Sequence, residues 1–133
     1  MNPNSTHQRW SAWTFVVQAR ADKRPARLEV VDNARRFFRA GFKSTVGRLQ
    51  VEVTGSRYVI AVQIEGPPCH DPAYRLHVAG EVRERFVRPG FGPGARLVQM
   101  DVRLLAGTAE DGQPAAQLLV LPSIYFDEPV VTP

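Results

Sequence analysis

The chain has 133 residues, 44% hydrophobic and 23% charged, which suits one folded domain with its own core and argues against a disordered polypeptide. Seventeen Lys and Arg against thirteen Asp and Glu give a net charge of +4, a mild excess that permits an anionic partner without requiring one. A lone cysteine, Cys69, excludes an intramolecular disulfide and a cysteine-built zinc centre, and no apolar run reaches the roughly 20 residues of a membrane-spanning helix.

Residues 1–8 are polar and are expected to fray, 9–129 form a single globular domain, and 130–133 make a short tail. The first residues carry no charged-then-apolar export pattern, so a cytoplasmic home is expected. The first apolar stretch, WTFVVQA (13–19), reads as a strand. After Pro25, Leu28, Val31, Ala34 and Phe38 stand at helical spacing, with Gly41 placed to end the helix. Leu49, Val51 and Val53 then alternate with Arg48, Gln50 and Glu52. Past the TGSR turn (54–57) the period of two continues in Tyr58, Ile60, Val62 and Ile64, which defines a hairpin with one buried face.

Asp71-Pro72 is a good cap and first residue for a second helix, on which Tyr74, Val78, Val82 and Phe86 recur every fourth position. Leu76, Val78, Gly80 and Val82 also alternate as in a strand, so 25–40 and 72–87 stay open between helix and strand. Pro89 disfavours helical geometry at Arg88 and, with Gly90, suits a type II turn. Val98, Met100, Val102 and Leu104 form another alternating row. The EDGQP turn (110–114) is expected to send the chain back through 115–126 as a second hairpin, with Pro122 marking an edge strand.

One phrase occurs twice: RFFRAGF (36–42) and RFVRPGF (85–91). Each copy follows a Pro-Ala pair, Pro25-Ala26 or Pro72-Ala73. Each pair in turn follows an apolar stretch, WTFVVQA (13–19) or YVIAVQI (58–64). A weaker third version runs from LVQMDVRLL (97–105) through Pro114-Ala115 to Ile124-Tyr125-Phe126. The pattern is that of an internal structural repeat. Loop glycines and buried Phe42 and Phe91 explain the end of each copy, but Arg36, Arg39, Arg85 and Arg88 are expected at the surface. Lys23 and Lys43 are the only lysines, and the planar arginine fork suits phosphate and base stacking better than an ammonium does. Arginines interleaved with rings such as Phe37 and Phe86 are what single-stranded nucleic acid needs. Arg9, Arg35, Arg48, Arg83 and Arg96 extend that surface if the fold brings them to one side. Asp32, Glu29 and Glu84 stand close enough in sequence to neutralise part of it.

Gly94–Leu104, then Glu110-Asp111-Gly112-Gln113, then Leu118–Pro129 with its Ile124-Tyr125-Phe126-Asp127-Glu128-Pro129 ending, together resemble the last hairpin of bacterial single-stranded DNA-binding proteins. The resemblance implies an OB-type barrel with 71–88 in the place of its helix, and it makes Trp10, Trp13, Tyr58 and Phe86 candidates for base stacking. The first half departs from that family, since 25–42 has no counterpart in it. Residues 85–105 also resemble the long strands of hot-dog thioesterases and dehydratases. That resemblance implies a helix-borne catalytic residue, for which Asp32 and Asn33 are the available groups, without the family's histidine-containing approach segment.

Other chemistry is sparse. Cys69, His70 and Asp71 are neighbours in one loop, and a nucleophile and its base usually come from distant positions. His7, His70 and His77 lack metal-ligand spacing, and GFGPG (90–94) has no phosphate-loop lysine. The expected fold is β-rich, all-β or α+β: an OB-like barrel with one or two helices. The alternatives are a ferredoxin-like βαββαβ sandwich with an extra C-terminal strand, or a hot-dog. The expected function is non-catalytic binding of single-stranded DNA or RNA through Arg36, Phe37, Arg39, Arg85, Phe86, Arg88, Trp10, Trp13 and Tyr58, with no cofactor, metal or membrane. A hot-dog thioesterase or dehydratase acting on acyl thioesters and a small β-rich self-assembly or protein-interaction module are the competing expectations, and a homo-oligomer is compatible with the nucleic-acid-binding reading as well.

Overall fold

Two long helices pack on one face of an antiparallel sheet in a computed structural model that describes residues 10–65, 71–105, 119–120 and 123–126. The elements run β1 (Trp10–Gln18), α1 (Arg27–Arg36), β2 (Val46–Thr54), β3 (Arg57–Glu65), α2 (Pro72–Glu81), α3 (Arg88–Phe91), β4 (Arg96–Leu104), β5 (Leu119–Val120) and β6 (Ile124–Tyr125). The sheet order is β2-β3-β1-β4-β5, with β6 also pairing β4. The class is therefore α+β with a strong β component, and β2-β3-β1-β4 is the order that the βαββαβ reading gives. β2 pairs with β3 alone, and closure into a barrel is not seen among the described residues.

Alternation along each strand sorts the core. Trp13, Phe15 and Val17 of β1, Tyr58, Ile60, Val62 and Ile64 of β3, and Leu97, Met100 and Val102 of β4 are all buried. They meet Val30, Ala34 and Phe38 of the first helix, and Val78, Val82 and Phe86 of the second. Spacings of four put each helical set on one stripe. Leu28, at helical spacing with Val31 and Ala34, is 67% exposed; Val30 takes the inward place. In β4 the register against β1 shifts between Val16 and Val17, where the partners are Gln99 and Leu97. That extra residue changes the parity of the strand, so Leu97 points inward and Val98 is only half-buried.

The β2–β3 hairpin turns at Gly55 and Ser56, with Gly55 at φ 61°. Glycine at the first central position of a two-residue loop matches the twist of the flanking strands. Asp71 caps α2, accepting from the Ala73 N–H at 3.0 Å, with Pro72 in the first turn. Both helices then widen into π-helical segments, Phe37–Gly41 after α1 and Val82–Val87 after α2. The sequence places a type II turn at Pro89-Gly90. Instead the helix continues: Arg88 is helical (φ −63°, ψ −47°) and Pro89 follows it in the first turn of α3. The reversal comes later, at Gly92, with φ 87° and ψ 171°. The 110–114 turn lies outside the described residues, but β5 and β6 do run antiparallel to β4, at Arg103–Leu104 and at Gln99–Met100 respectively. Among the described residues β5 ends the sheet on the β4 side, opposite the β2 edge; Pro122 lies outside them.

The two halves, β1-α1-β2 and β3-α2-α3-β4, carry the repeated phrase at the same place, the end of the helix. Phe15 and Ile60, third in each matched apolar stretch, are direct register partners.

Candidate nucleic-acid interface

The two copies of the phrase build one cleft. Its volume is about 370 Å³, and apart from Asn33 its lining comes as four matched pairs: Arg36 with Arg85, Phe37 with Phe86, Ala40 with Pro89, Gly41 with Gly90. These are the first, second, fifth and sixth places of each phrase. The other places do different work. Phe38 and Val87 are in the core, and Arg39 and Arg88 are exposed. Phe42 is half-buried and Phe91 buried.

Aromatic contacts tie the cleft to the sheet. Phe37 lies 5.6 Å from Phe86, 4.9 Å from Phe38 and 5.0 Å from Phe42. Phe38 stacks on Phe15 at 5.7 Å, Phe86 meets Phe91 at 5.8 Å, and Phe91 meets Tyr58 at 5.0 Å. Phe37 keeps part of its surface exposed, whereas Phe86 is 3% exposed. One ring is therefore available in the cleft and the other supports it. Small residues keep the space open: a Cβ on Gly90 would come 3.6 Å from Asn33 Nδ2, and one on Gly41 3.4 Å from the Phe37 ring.

The arginines of the two copies differ in their company. Arg85 pairs with Glu81 at 3.1 Å and Arg88 with Glu84 at 3.4 Å, both i,i+4 on the exposed helix surface. Such pairs contribute only about 0.3–0.5 kcal/mol, and competing anions displace them readily. Arg36 and Arg39 form no ion pair among the described residues. Arg35 and Arg36 also face the negative end of the α1 dipole, a stabilising role that needs no ligand.

The remaining sequence candidates lie elsewhere. Trp13 is fully buried, its Nε1–H donating to Ser11 Oγ at 2.6 Å. Tyr58 is 1% exposed and its hydroxyl donates to the Pro25 carbonyl at 2.6 Å; desolvation raises its pKa above the usual tyrosine value. Neither ring has a face left for a base. Trp10 is half-buried on the opposite, open face of the sheet, against Gly47, where a Cβ would come 2.8 Å from its ring. Arg48 is on the edge strand β2, and Arg9, His7, Cys69 and His70 lie outside the described residues. Asp32 is exposed and Asn33 lines the cleft. No group of three or more His, Cys, Asp or Glu able to hold a metal occurs among the described residues, and no helix among them is long and apolar enough to cross a membrane.

Phe126 stands in the Ile124–Pro129 ending with no sequence signal of a site role. Its ring lies 5.0 Å below the Arg83 guanidinium, a cation–π contact. With Arg83, Arg88 and Arg96 it lines a second cleft of about 280 Å³ on the other flank of the second helix. Only the spatial pairing of β6 with β4 brings it there. Tyr125, in the same ending, is 71% exposed beside Gln99 on the open face.

Compared with protein-family models, curated proteins and solved structures, the chain matches none of them.

Proposed function

We propose that this protein binds single-stranded nucleic acid along its helical face, with phosphates at Arg36, Arg39, Arg85 and Arg88 and a base against Phe37. The observation that carries this reading is the convergence of Arg36, Arg85 and Phe37 on one cleft. Guanidinium groups around a partly exposed ring supply both contacts a flexible strand needs, and a stacked base contributes about 1–3 kcal/mol. A duplex keeps its bases stacked inside and cannot use the ring. The second cleft also sets arginines, Arg83, Arg88 and Arg96, beside an aromatic ring, Phe126, with Glu84 as the one acidic residue in its lining.

The open sheet face is the competing platform, because four-stranded sheets that read RNA stack bases on aromatics of their central strands. Here the central strands β1 and β3 present Thr14, Val16, Val59 and Ala61 on that face. Trp10 and Tyr125 stand apart, Trp10 at the start of β1 and Tyr125 opposite Gln99, the partner of Val16. The helical cleft is the better fit.

Fluorescence anisotropy of a labelled oligonucleotide, single-stranded or as a duplex, tests the reading at low salt. Tighter binding of the single strand supports it, and equal or stronger binding of the duplex contradicts it.

A further inference from the structure

β2 is the end strand of the sheet, hydrogen-bonded on one side only among the described residues. The two-residue turn fixes which groups are used: Thr54 pairs Arg57, so Thr54, Glu52 and Gln50 bond to β3. The N–H and C=O groups of Leu49, Val51 and Val53 therefore point away from the sheet. Beside this edge runs a groove of about 400 Å³ between α1 and β2, lined by Leu28, Val31, Leu49 and Val51 among others. Leu28 is 67% and Val53 39% exposed, large apolar groups left uncovered next to unpaired backbone. Natural sheets rarely leave such an edge unguarded.

We propose that two copies of the chain join here, β2 against β2 in antiparallel sense, forming one sheet across a two-fold axis at Gln50. The charge pattern selects this occupant. Arg48 and Glu52 are exposed, carry opposite charges at equal distances from Gln50, and form no ion pair within the chain among the described residues. With Gln50 on the axis, Arg48 falls opposite Glu52 of the second copy, and Glu52 opposite its Arg48. Both pairs fall at non-hydrogen-bonded positions, where opposing side chains come closest. Leu49 and Val51 fall opposite each other and exchange the outward backbone bonds. Regular pairing with β3 begins at Leu49, and Arg48 lies in the register shift between Val46 and Leu49, so the join is centred on 49–51 and Arg48 is the last residue it reaches. A strand of unrelated sequence would satisfy the backbone but not this charge symmetry. The dimer leaves the Arg36–Arg85 cleft untouched, so it stands or falls independently of nucleic-acid binding.

Sedimentation velocity over a range of concentrations tests it with three variants of the full chain. Wild type should dimerise. E52R, which sets like charges opposite each other twice, should raise the dissociation constant about tenfold or more, and R48E/E52R, which restores opposite charges, should recover the dimer. Leu28→Asp, at an exposed position beside the join, should also weaken it, and a cooperative thermal transition at a concentration where all the proteins are monomeric would show that each variant folds. A wild-type monomer at all concentrations overturns the proposal. So does a dimer insensitive to E52R, or one that R48E/E52R fails to restore.

Discussion

Phe37 and Phe86 hold the same place in the two copies of one sequence phrase, and their rings meet 5.6 Å apart. The contact joins the first helix to the second directly above the sheet. It also fixes the arginine preceding each ring, Arg36 and Arg85, on the rim of a common cleft.

The stability consequence is asymmetric. Phe86 is 3% exposed, so Phe86→Ala should cost about 3–5 kcal/mol, and Phe37→Ala less because that ring is only half-buried. A double-mutant cycle by denaturant unfolding should give a coupling of about 0.5–1.5 kcal/mol between them. Strict additivity would contradict the contact.

The acidic partners in the second copy hold its arginines only weakly. Glu81→Gln frees Arg85, and Glu84→Gln frees Arg88, from exposed i,i+4 pairs. Each change should shift stability by no more than about 0.5 kcal/mol and tighten oligonucleotide binding, as read by anisotropy. Weaker binding would contradict the placement of phosphates there. Tryptophan emission should stay unchanged on binding, since Trp13 is buried and Trp10 is on the other face of the sheet.

Two glycines should respond in opposite directions. Gly92 turns the chain at φ 87°, ψ 171°, a conformation nearly closed to side chains, so Gly92→Ala should cost about 1–3 kcal/mol. Gly80 is inside α2, and a Cβ there would meet nothing within 4 Å. Gly80→Ala should stabilise by about 0.4–1 kcal/mol in the same thermal melts.

Alkaline pH should expose the role of buried Tyr58 and half-buried Tyr74. Desolvation raises Tyr58 above its ordinary value of 10.0, with a smaller lowering effect from Arg24 and a raising one from Glu29; desolvation raises Tyr74 as well. The folded values exceed the unfolded ones, so this stabilisation is complete below pH 10 and is lost as pH rises through the folded values. Tyr58→Phe removes the hydrogen bond to Pro25, which should cost about 1 kcal/mol at neutral pH. It should also make the decline above pH 10 shallower in urea titrations repeated across pH.

Much of the fold was legible because period-two and period-four patterns report directly on burial. The β3 row followed from it, and so did Val51 of β2, although Val53 of the same row is 39% exposed at the sheet edge; the stripe Tyr74-Val78-Val82-Phe86 competed with a period of two that left 72–87 open between helix and strand. What escaped depended on local irregularity. A bulge in β4 exchanged Val98 for Leu97, and the second helix widens into a π-helical segment and then runs on past Pro89. Neither leaves a periodic trace. At the site, the repeated phrase pointed to Arg36, Phe37, Arg85 and Phe86, but composition could not separate surface rings from core rings. Trp13 and Tyr58 look like stacking residues in sequence and prove to be core, while Phe126 reaches its arginine only through strand pairing.

The most direct measurement is a salt series of single-stranded oligonucleotide titrations with the wild-type chain beside R36A/R85A. Four phosphate contacts on a single strand should give the wild type a logarithmic salt slope near −3, at about 0.7 per contact. The variant should bind at least tenfold more weakly with a shallower slope, and should still unfold cooperatively at a melting temperature lowered by no more than a few degrees. Absence of wild-type binding at low salt, or equal affinity and slope in the two proteins, would contradict the account.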